Sequence, residues 1–573
     1  MRTAPILTLV VFTLFGRAQE YVTRFGTKTT PGGIERLEAP IFGSGDYFKT
    51  HFAPAAPLPD VRAPARLADF VVDGKLELSL KAYLELVLAN NPDVAIQRLS
   101  IEAPRNAITR ALARFDPTLT ASFRSERSQT PTADVLQGAE TLNQLTQPFS
   151  LAFNQLLPTG TQYSIGFSGR RRSTNSQFAT INPSINGTLN FSVTQPLLRN
   201  RGSRVNKLQF IIAQSRFKQS RYSFEDRLLQ LLSQAENVYW SVVEARENLR
   251  VAEENLRVNE ALLKRSEREL ELGAISPLDI YQPQQNLENA RIALTQARYR
   301  LEQTLDALRR QIGADLDPDY RNMPIVLTEP VLPPAEEEAL DPEQMVEAAY
   351  RLRPDLKGAL QSLQIDDLNY EAVRNELRPD LSLSLSYSSS GLGGRIFEFV
   401  QEPGFGRPSV PIGTIPGGLG QALEQIFGFD FPTYSFTLSL RLPLRDRRAV
   451  ADLADVAVSK KTNMLRAQSL EQDIRLEVLN AVSQVESSKA RVKLAQTALE
   501  FSRKRLEAEQ KKYDLGVTTI FFLIQAQNDL VAAQSQVVTQ ATLYRRNLVN
   551  LLRVTGQLLE ERGVVVSDKP GQY

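Results

Sequence analysis

Two hydrophobic periods take turns along this chain, and they do so twice. From about Val205 to Leu272 apolar residues recur at helical spacing, with Leu249, Leu256, Leu263 and Leu270 seven residues apart. Coiled coils bury a seam of that kind. At the helical rise, nearly 70 residues extend about 100 Å. The pattern breaks at Leu272-Gly273-Ala274-Ile275-Ser276-Pro277-Leu278-Asp279. Gly273 suits the left-handed position after a helix, Ser276 an N-cap, Pro277 the first helical position and Asp279 the positive end of a new helix. The chain is therefore predicted to double back and run as a helix to about Ile312. A second hairpin of the same design runs from about Ala449 to Asp514, turns at Leu515-Gly516-Val517-Thr518, and returns to about Thr555. Each return helix, at about 37 residues, reaches only about 55 Å. A further helical pattern at about 92–114, with an equivalent at about 354–377, supplies roughly 35 Å more. The expected wall is one long helix beside two short ones stacked end to end.

Between these helices the period changes to two. Leu119, Ala121 and Phe123 alternate with Thr118, Thr120 and Ser122, and Leu189, Phe191 and Val193 alternate with Asn190, Ser192 and Thr194. Leu381, Leu383, Leu385 and Tyr387 alternate with serines, as do Tyr434, Phe436, Leu438 and Leu440 with Ser435, Thr437 and Ser439. Such strands fit a barrel with lipid outside and water inside, or equally a half-buried soluble sheet. Runs at Leu151–Leu156 and Tyr163–Phe167 flank Leu157-Pro158-Thr159-Gly160 as an extra hairpin. It either joins a barrel or folds over its mouth. Four or six strands cannot close a barrel, and an open edge in lipid leaves backbone groups unpaired. The protomer is therefore expected to oligomerise, three copies giving twelve or eighteen strands.

The chain repeats itself. Asn91-Pro92-Asp93 matches Arg353-Pro354-Asp355, and that offset of 262 holds to Pro117 and Pro379. Asn237, Leu256, Gly273, Leu287 and Gly313 match Asn480, Leu499, Gly516, Leu530 and Gly556 at a constant offset of 243. Two matched blocks around one variable insert mean two copies of one unit. The expected division is a first repeat over 76–313 with its insert at 117–196, a Pro-rich linker over 314–341, a second repeat over 342–556 with its insert at 379–444, and a tail over 557–573. The long Gly-rich stretch near 389–433 reads as an extracellular loop. At the front, Arg2, the apolar run Ile6–Phe15 and Gly16-Arg17-Ala18 read as a signal peptide over 1–18, followed by an extended segment over 19–75.

Composition narrows the function. The 573 residues include no Cys and a single His, His51, so thiol catalysis, disulfides and Cys-based metal sites are excluded. No cofactor or catalytic constellation suggests itself, and an enzyme is not expected. A net charge of +2 gives no drive toward nucleic acid. No apolar run is long enough for a spanning helix. Arg170, Arg171 and Arg172 follow one strand, and Arg199, Arg201, Arg204, Arg441, Arg445, Arg447 and Arg448 sit where strands become helices. Interface anchoring or plain solvated charge accounts for both groups.

The doubled Asn/Arg-Pro-Asp helix start, Gln195-Pro196-Leu197 before a long helix, and the two Leu-Gly turns resemble the TolC-like outer-membrane efflux proteins (outer membrane factors) over about 75–557. The resemblance implies a mainly α fold with membrane β: a duplicated α-barrel tunnel in the periplasm and a trimeric β-barrel in the outer membrane, about four strands per protomer. It implies a passive channel in tripartite efflux or type I secretion, working with a periplasmic adaptor (membrane fusion protein) and an inner-membrane transporter. The tips that would meet the adaptor are Leu272, Gly273, Ala274, Leu515, Gly516 and Val517. The family's acidic gate positions match Phe522 and Gln525 and its apolar ring matches Phe521, so this chain departs from the acidic pattern at both sites. These rings either form an apolar constriction or pack between helices. Asp279 holds the corresponding place in the first copy, as an acidic ring or a helix cap. The competing reading is a periplasmic adaptor or coiled-coil scaffold without a pore, against which two matched hairpins count.

Overall fold

The computed structural model describes residues 67–132, 139–332, 340–399 and 411–564. The expected signal peptide, His51 and the end of the tail lie outside these. The first copy opens with the strand pair Val71–Val72 and β1 (Lys75–Leu78), then α1 (Leu80–Asn90), α2 (Pro92–Leu99) and α3 (Glu102–Leu112). Strands β2 (Thr118–Phe123), β3 (Glu126–Pro131), β4 (Thr141–Leu156), β5 (Gln162–Thr174) and β6 (Ile181–Pro196) follow. The helical hairpin is α4 (Leu208–Glu271) and α5 (Tyr281–Ile312). A short strand, β7 (Ile325–Leu327), precedes the second copy: α6 (Pro342–Leu352), α7 (Pro354–Glu376), β8 (Asp380–Phe399), β9 (Pro411–Ile415), α8 (Leu419–Gly428), β10 (Pro432–Arg441), α9 (Arg447–Asp514), α10 (Ile520–Val554) and α11 (Leu558–Glu561).

Two prolines explain where the copies differ in helix geometry. The helix expected at 92–114 is broken at Ser100–Ile101, whereas its counterpart α7 is continuous. Pro104 lacks the N–H that would bond Ser100 and its ring crowds that carbonyl, while the matching position 262 residues on is Asp366. Likewise, Ser276 does not cap a helix at Pro277. The helix α5 begins four residues later, at Tyr281. Pro283 is tolerated there only in the first turn, and its counterpart in α10 is Ala526.

The short helices stack as the lengths require. The Asn90 amide donates to the Ile312 carbonyl at the end of α5 (3.1 Å), and the Asn91 amide to Gln311 Oε1 (2.7 Å). In the second copy Arg353, heading α7, donates to the Val554 carbonyl that ends α10 (3.3 Å). Both Pro-Asp motifs are thus junctions between stacked helices. The main cores surround these junctions: Tyr83, Leu86, Leu232, Tyr239, Leu308 and Ile312 in one, Val346, Leu356, Ile474, Val478, Tyr544 and Val554 in the other. The linker region is not wholly irregular, because β7 pairs in parallel with β1 and buries Leu327 against Leu76 and Leu78. The tail also contributes: Leu558 of α11 is fully buried, and Arg562 forms a two-pronged pair with Glu236 of α4, which is 1% exposed.

One sheet contains all the long strands. Strands β2 and β3 run in a single register along β4, so they form one edge, and the order continues β4–β5–β6–β8 to an edge formed by β10 and β9. That gives six ladder positions, the count expected if the extra hairpin joins the four strands. The hairpin β4–β5 joins the sheet between β2 and β6 and does not fold over a mouth. The long stretch after Ser389 is not a plain loop either: it extends β8 to Phe399 and includes β9 and α8.

Candidate functional site

The cross-strand register puts the apolar positions of the alternating stretches on one sheet face. Leu119 opposes Phe153, Phe153 opposes Ile165, Ile165 opposes Phe191, Phe191 opposes Tyr387, and Tyr387 opposes Tyr434. The opposite face carries Thr120, Ser164, Asn190, Thr194, Ser384, Ser386, Ser435 and Thr437, several of them hydrogen-bonded across strands. The hairpin shares both faces at the same height, which makes it a working part of the sheet. From Leu381 to Tyr387 the apolar alternation runs about 20 Å along the strand, the pattern a membrane barrel presents to lipid.

At the far ends of the helical hairpins, the two turns are built alike. The N–H of Ala274 bonds the Glu269 carbonyl (2.7 Å) and that of Gly273 the Leu270 carbonyl (2.9 Å). Val517 to Lys512 (3.0 Å) and Gly516 to Tyr513 (2.9 Å) repeat the pattern. This is the Schellman closure, and it needs a left-handed residue, supplied by Gly273 (φ 72°) and Gly516 (φ 71°). The turns leave apolar side chains in the open: Leu272 is 84% exposed, Leu515 77% and Val517 71%. Ala274 is exposed as well.

Side chains that sequence reasoning missed tie the two tips together. Arg265 binds Glu269 on its own helix and Asp514 at the end of α9, both at 2.8 Å. Its guanidinium lies 4.9 Å from the Tyr513 ring centre, and the Tyr513 hydroxyl donates to Glu269. The bond from Arg265, with help from Gln510, holds the Asp514 carboxyl below its ordinary range. Burial first, and then the Glu269 bond, pushes Tyr513 up. A signal existed: Glu269 and Asp514 sit in last helical turns, where the dipole disfavours anions and a partner is needed.

The candidate gate residues are also in the open. Phe521 and Phe522 are 45% and 51% exposed and meet edge to face at 5.4 Å, while Leu523, Ile524 and Gln527 beside them are buried. Gln525 is exposed. Asp279 accepts from the Ser276 N–H (3.2 Å), so its carboxylate closes the tip turn without capping a helix. Of the basic groups, Arg204 donates from Nε and Nη2 to the two carboxylate oxygens of Glu371, and Arg199 pairs with Glu376, fastening the strand-to-helix passage onto α7.

A family model described as outer membrane efflux protein matches residues 162–314 and 345–557. The chain belongs to the outer membrane efflux protein family. As a member it is an outer-membrane channel with its helices in the periplasm, and not an enzyme. Among curated efflux proteins, it is 18% identical to the toluene efflux pump outer membrane protein TtgC of Pseudomonas putida over 83% of each chain. Solved structures share the fold: a membrane protein from Pseudomonas aeruginosa (20% identity, TM-score 0.59, 88% of this chain and 98% of that one) and the CmeC outer membrane channel of Campylobacter jejuni (16% identity, TM-score 0.56, 88% and 94%). Among the described residues no helix is long and apolar enough to cross a membrane.

Proposed function

We propose that three copies of this chain close into one duct, serving as the outer-membrane exit of a tripartite efflux or secretion system. The observation that carries this reading is the two-faced sheet with open edges. Every residue of β2, β3 and β10 is exposed, and both edges present unpaired backbone at the level of the apolar band. Lipid cannot satisfy those groups, whereas the edge of a second copy can. Six ladder positions per copy make a barrel of about eighteen strands if three copies meet.

The helical wall supports the same assembly. Within the chain α5 packs on α4, α4 on α10 and α10 on α9, which leaves α5 and α9 as its borders. Each border carries an exposed apolar stripe: Tyr281, Ile292 and Tyr299 on α5, and Val458, Leu465, Leu476, Leu494 and Phe501 on α9. Those positions recur at sevens, elevens and eighteens, so each set lies on one line of its helix. In the trimer the α9 stripe of one copy covers the α5 stripe of the next. The tips then ring the periplasmic end, where Leu272, Gly273, Ala274, Leu515, Gly516 and Val517 meet the adaptor, and Phe521 and Phe522 narrow the passage.

Because the chain contains no Cys, paired substitutions test this directly. One Cys in β2 and one in β10 should form disulfides only between copies, giving a ladder that stops at three, and the protein should need detergent for extraction. A monomer that stays dissolved in plain buffer overturns the reading.

A further inference from the structure

The short helix α8 is absorbed by none of this. It lies on the apolar face of the sheet, held where side chains are missing. A Cβ added at Gly187 would come within 2.5 Å of Ile426 Cδ1, and one at Gly391 or Gly393 within 2.1 Å of a backbone oxygen of α8 or its leading glycine. The Ser389 hydroxyl donates to the Ile426 carbonyl, and Gln425 Oε1 accepts from the Leu392 N–H, both at 2.8 Å. Ala422 and Ile426 are buried beneath the helix, whereas Phe427 is exposed along it, and Leu419 and Phe429 are exposed at its two ends.

Its height is set by register. Phe149, Gly169, Gly187 and Gly391 form one cross-strand row. On β4 and β5 the next outward-facing row is polar: Arg171 donates to Gln147 (3.0 Å), and Gln147 donates to Ser125 (3.3 Å) beside β3. On β4 and β5 the apolar band therefore ends at this row, although Ile185 of β6 stands in the next one, and α8 occupies the margin where apolar surface gives way to polar. Phe429 adds a cost that calls for a return. It is left-handed (φ 57°), a conformation that is strained for a bulky residue, and it keeps its ring 6.0 Å from Tyr387 of the band.

We infer that α8 is an interfacial collar, its exposed Phe427, with Leu419 and Phe429 at its two ends, seated at the boundary between headgroups and acyl chains of the surrounding membrane. The inference rests on the sheet being the membrane wall. An amphipathic segment lying flat at that depth is stable because one face buries apolar area while the other stays polar, and aromatic girdles mark the same level in membrane barrels. Here the inner face of the helix is spent on the sheet, so the exposed Phe427 and the end residues Leu419 and Phe429 are what reach lipid, continuous with the band below them.

Tryptophan quenching tests it in the whole protein reconstituted into phosphatidylcholine vesicles brominated either near the headgroup or near the chain ends. The native Trp240 is buried among helices far along the chain and gives a constant background. Phe427→Trp should lose emission to the shallow bromines, and Phe436→Trp, in mid-band, to the deep ones. If Phe436→Trp is quenched and Phe427→Trp is not, α8 stands clear of lipid and the collar is wrong while the barrel stands. Quenching of Phe427→Trp mainly by deep bromines also overturns it. If neither is quenched, the membrane wall itself fails, and the collar with it.

Discussion

Gly273 has nothing within 4 Å of where a Cβ would stand, so only its left-handed backbone restricts it. Gly273→Ala should therefore cost about 1 kcal/mol, read as a lowered melting temperature in detergent, with Gly516→Ala behaving the same way. Arg265 is the hub of the tip contacts, and Arg265→Ala should let the hairpins of one subunit separate, lengthening open times in planar-bilayer recordings. Acid should do the same late. Because the folded Asp514 carboxyl is held low, its contribution is complete above the ordinary carboxylate value of about 4. It disappears only as pH falls through the lower folded value. Openings that increase already near neutrality would contradict that sign. Phe521→Ala and Phe522→Ala should raise conductance, because an apolar ring excludes ions by dewetting; unchanged recordings from both would place these rings between helices.

At the level of elements, the buried pair joining the tail to α4 makes the sharpest prediction. Glu236→Ala leaves Arg562 without its partner and should cost about 3 kcal/mol, measurable by thermal or denaturant unfolding. Nothing in the weak patterning after residue 557 pointed to that pair, since its members stand 326 residues apart. What the sequence did make legible is local or doubled. The long helices follow from period, both turns from Leu-Gly, and the stacking from lengths. The late start of α5 was missed because Ser276-Pro277 looks like a helix start, while Pro283, which forbids one, lies a turn further on. The coiled-coil seam was also misplaced by a step. Near the tip the buried row is Ala252, Asn259 and Ser266, with the leucines half-buried beside it. Asn259 and Ser266 bond carbonyls of their own helix at Asn255 and Leu262, so they can be buried without partners on α5. Alternation revealed each strand but could not reveal its neighbours, because pairing is a long-range property; the place of the β4–β5 hairpin was undecidable until register was known.

For the whole molecule, that hairpin becomes an experiment. Strands β2–β3 and β6 run in opposite directions with the same face apolar, so excising 141–174 should let them pair directly. The expected product is a barrel of about twelve strands with about two thirds of the diameter, still trimeric and still membrane-embedded, passing less current where the sheet is limiting. A shortened chain that no longer assembles would mean the hairpin is needed for closure.

An addition made as an antiparallel pair returns the polypeptide to the level and heading from which it left. Nothing downstream has to be re-aimed: α4 still departs from the end of β6, and the tips still arrive at the same place. The girth of the exit and the identity of the docking end are thereby separable. A lineage, or an engineer, can refit one by whole hairpins without renegotiating the other.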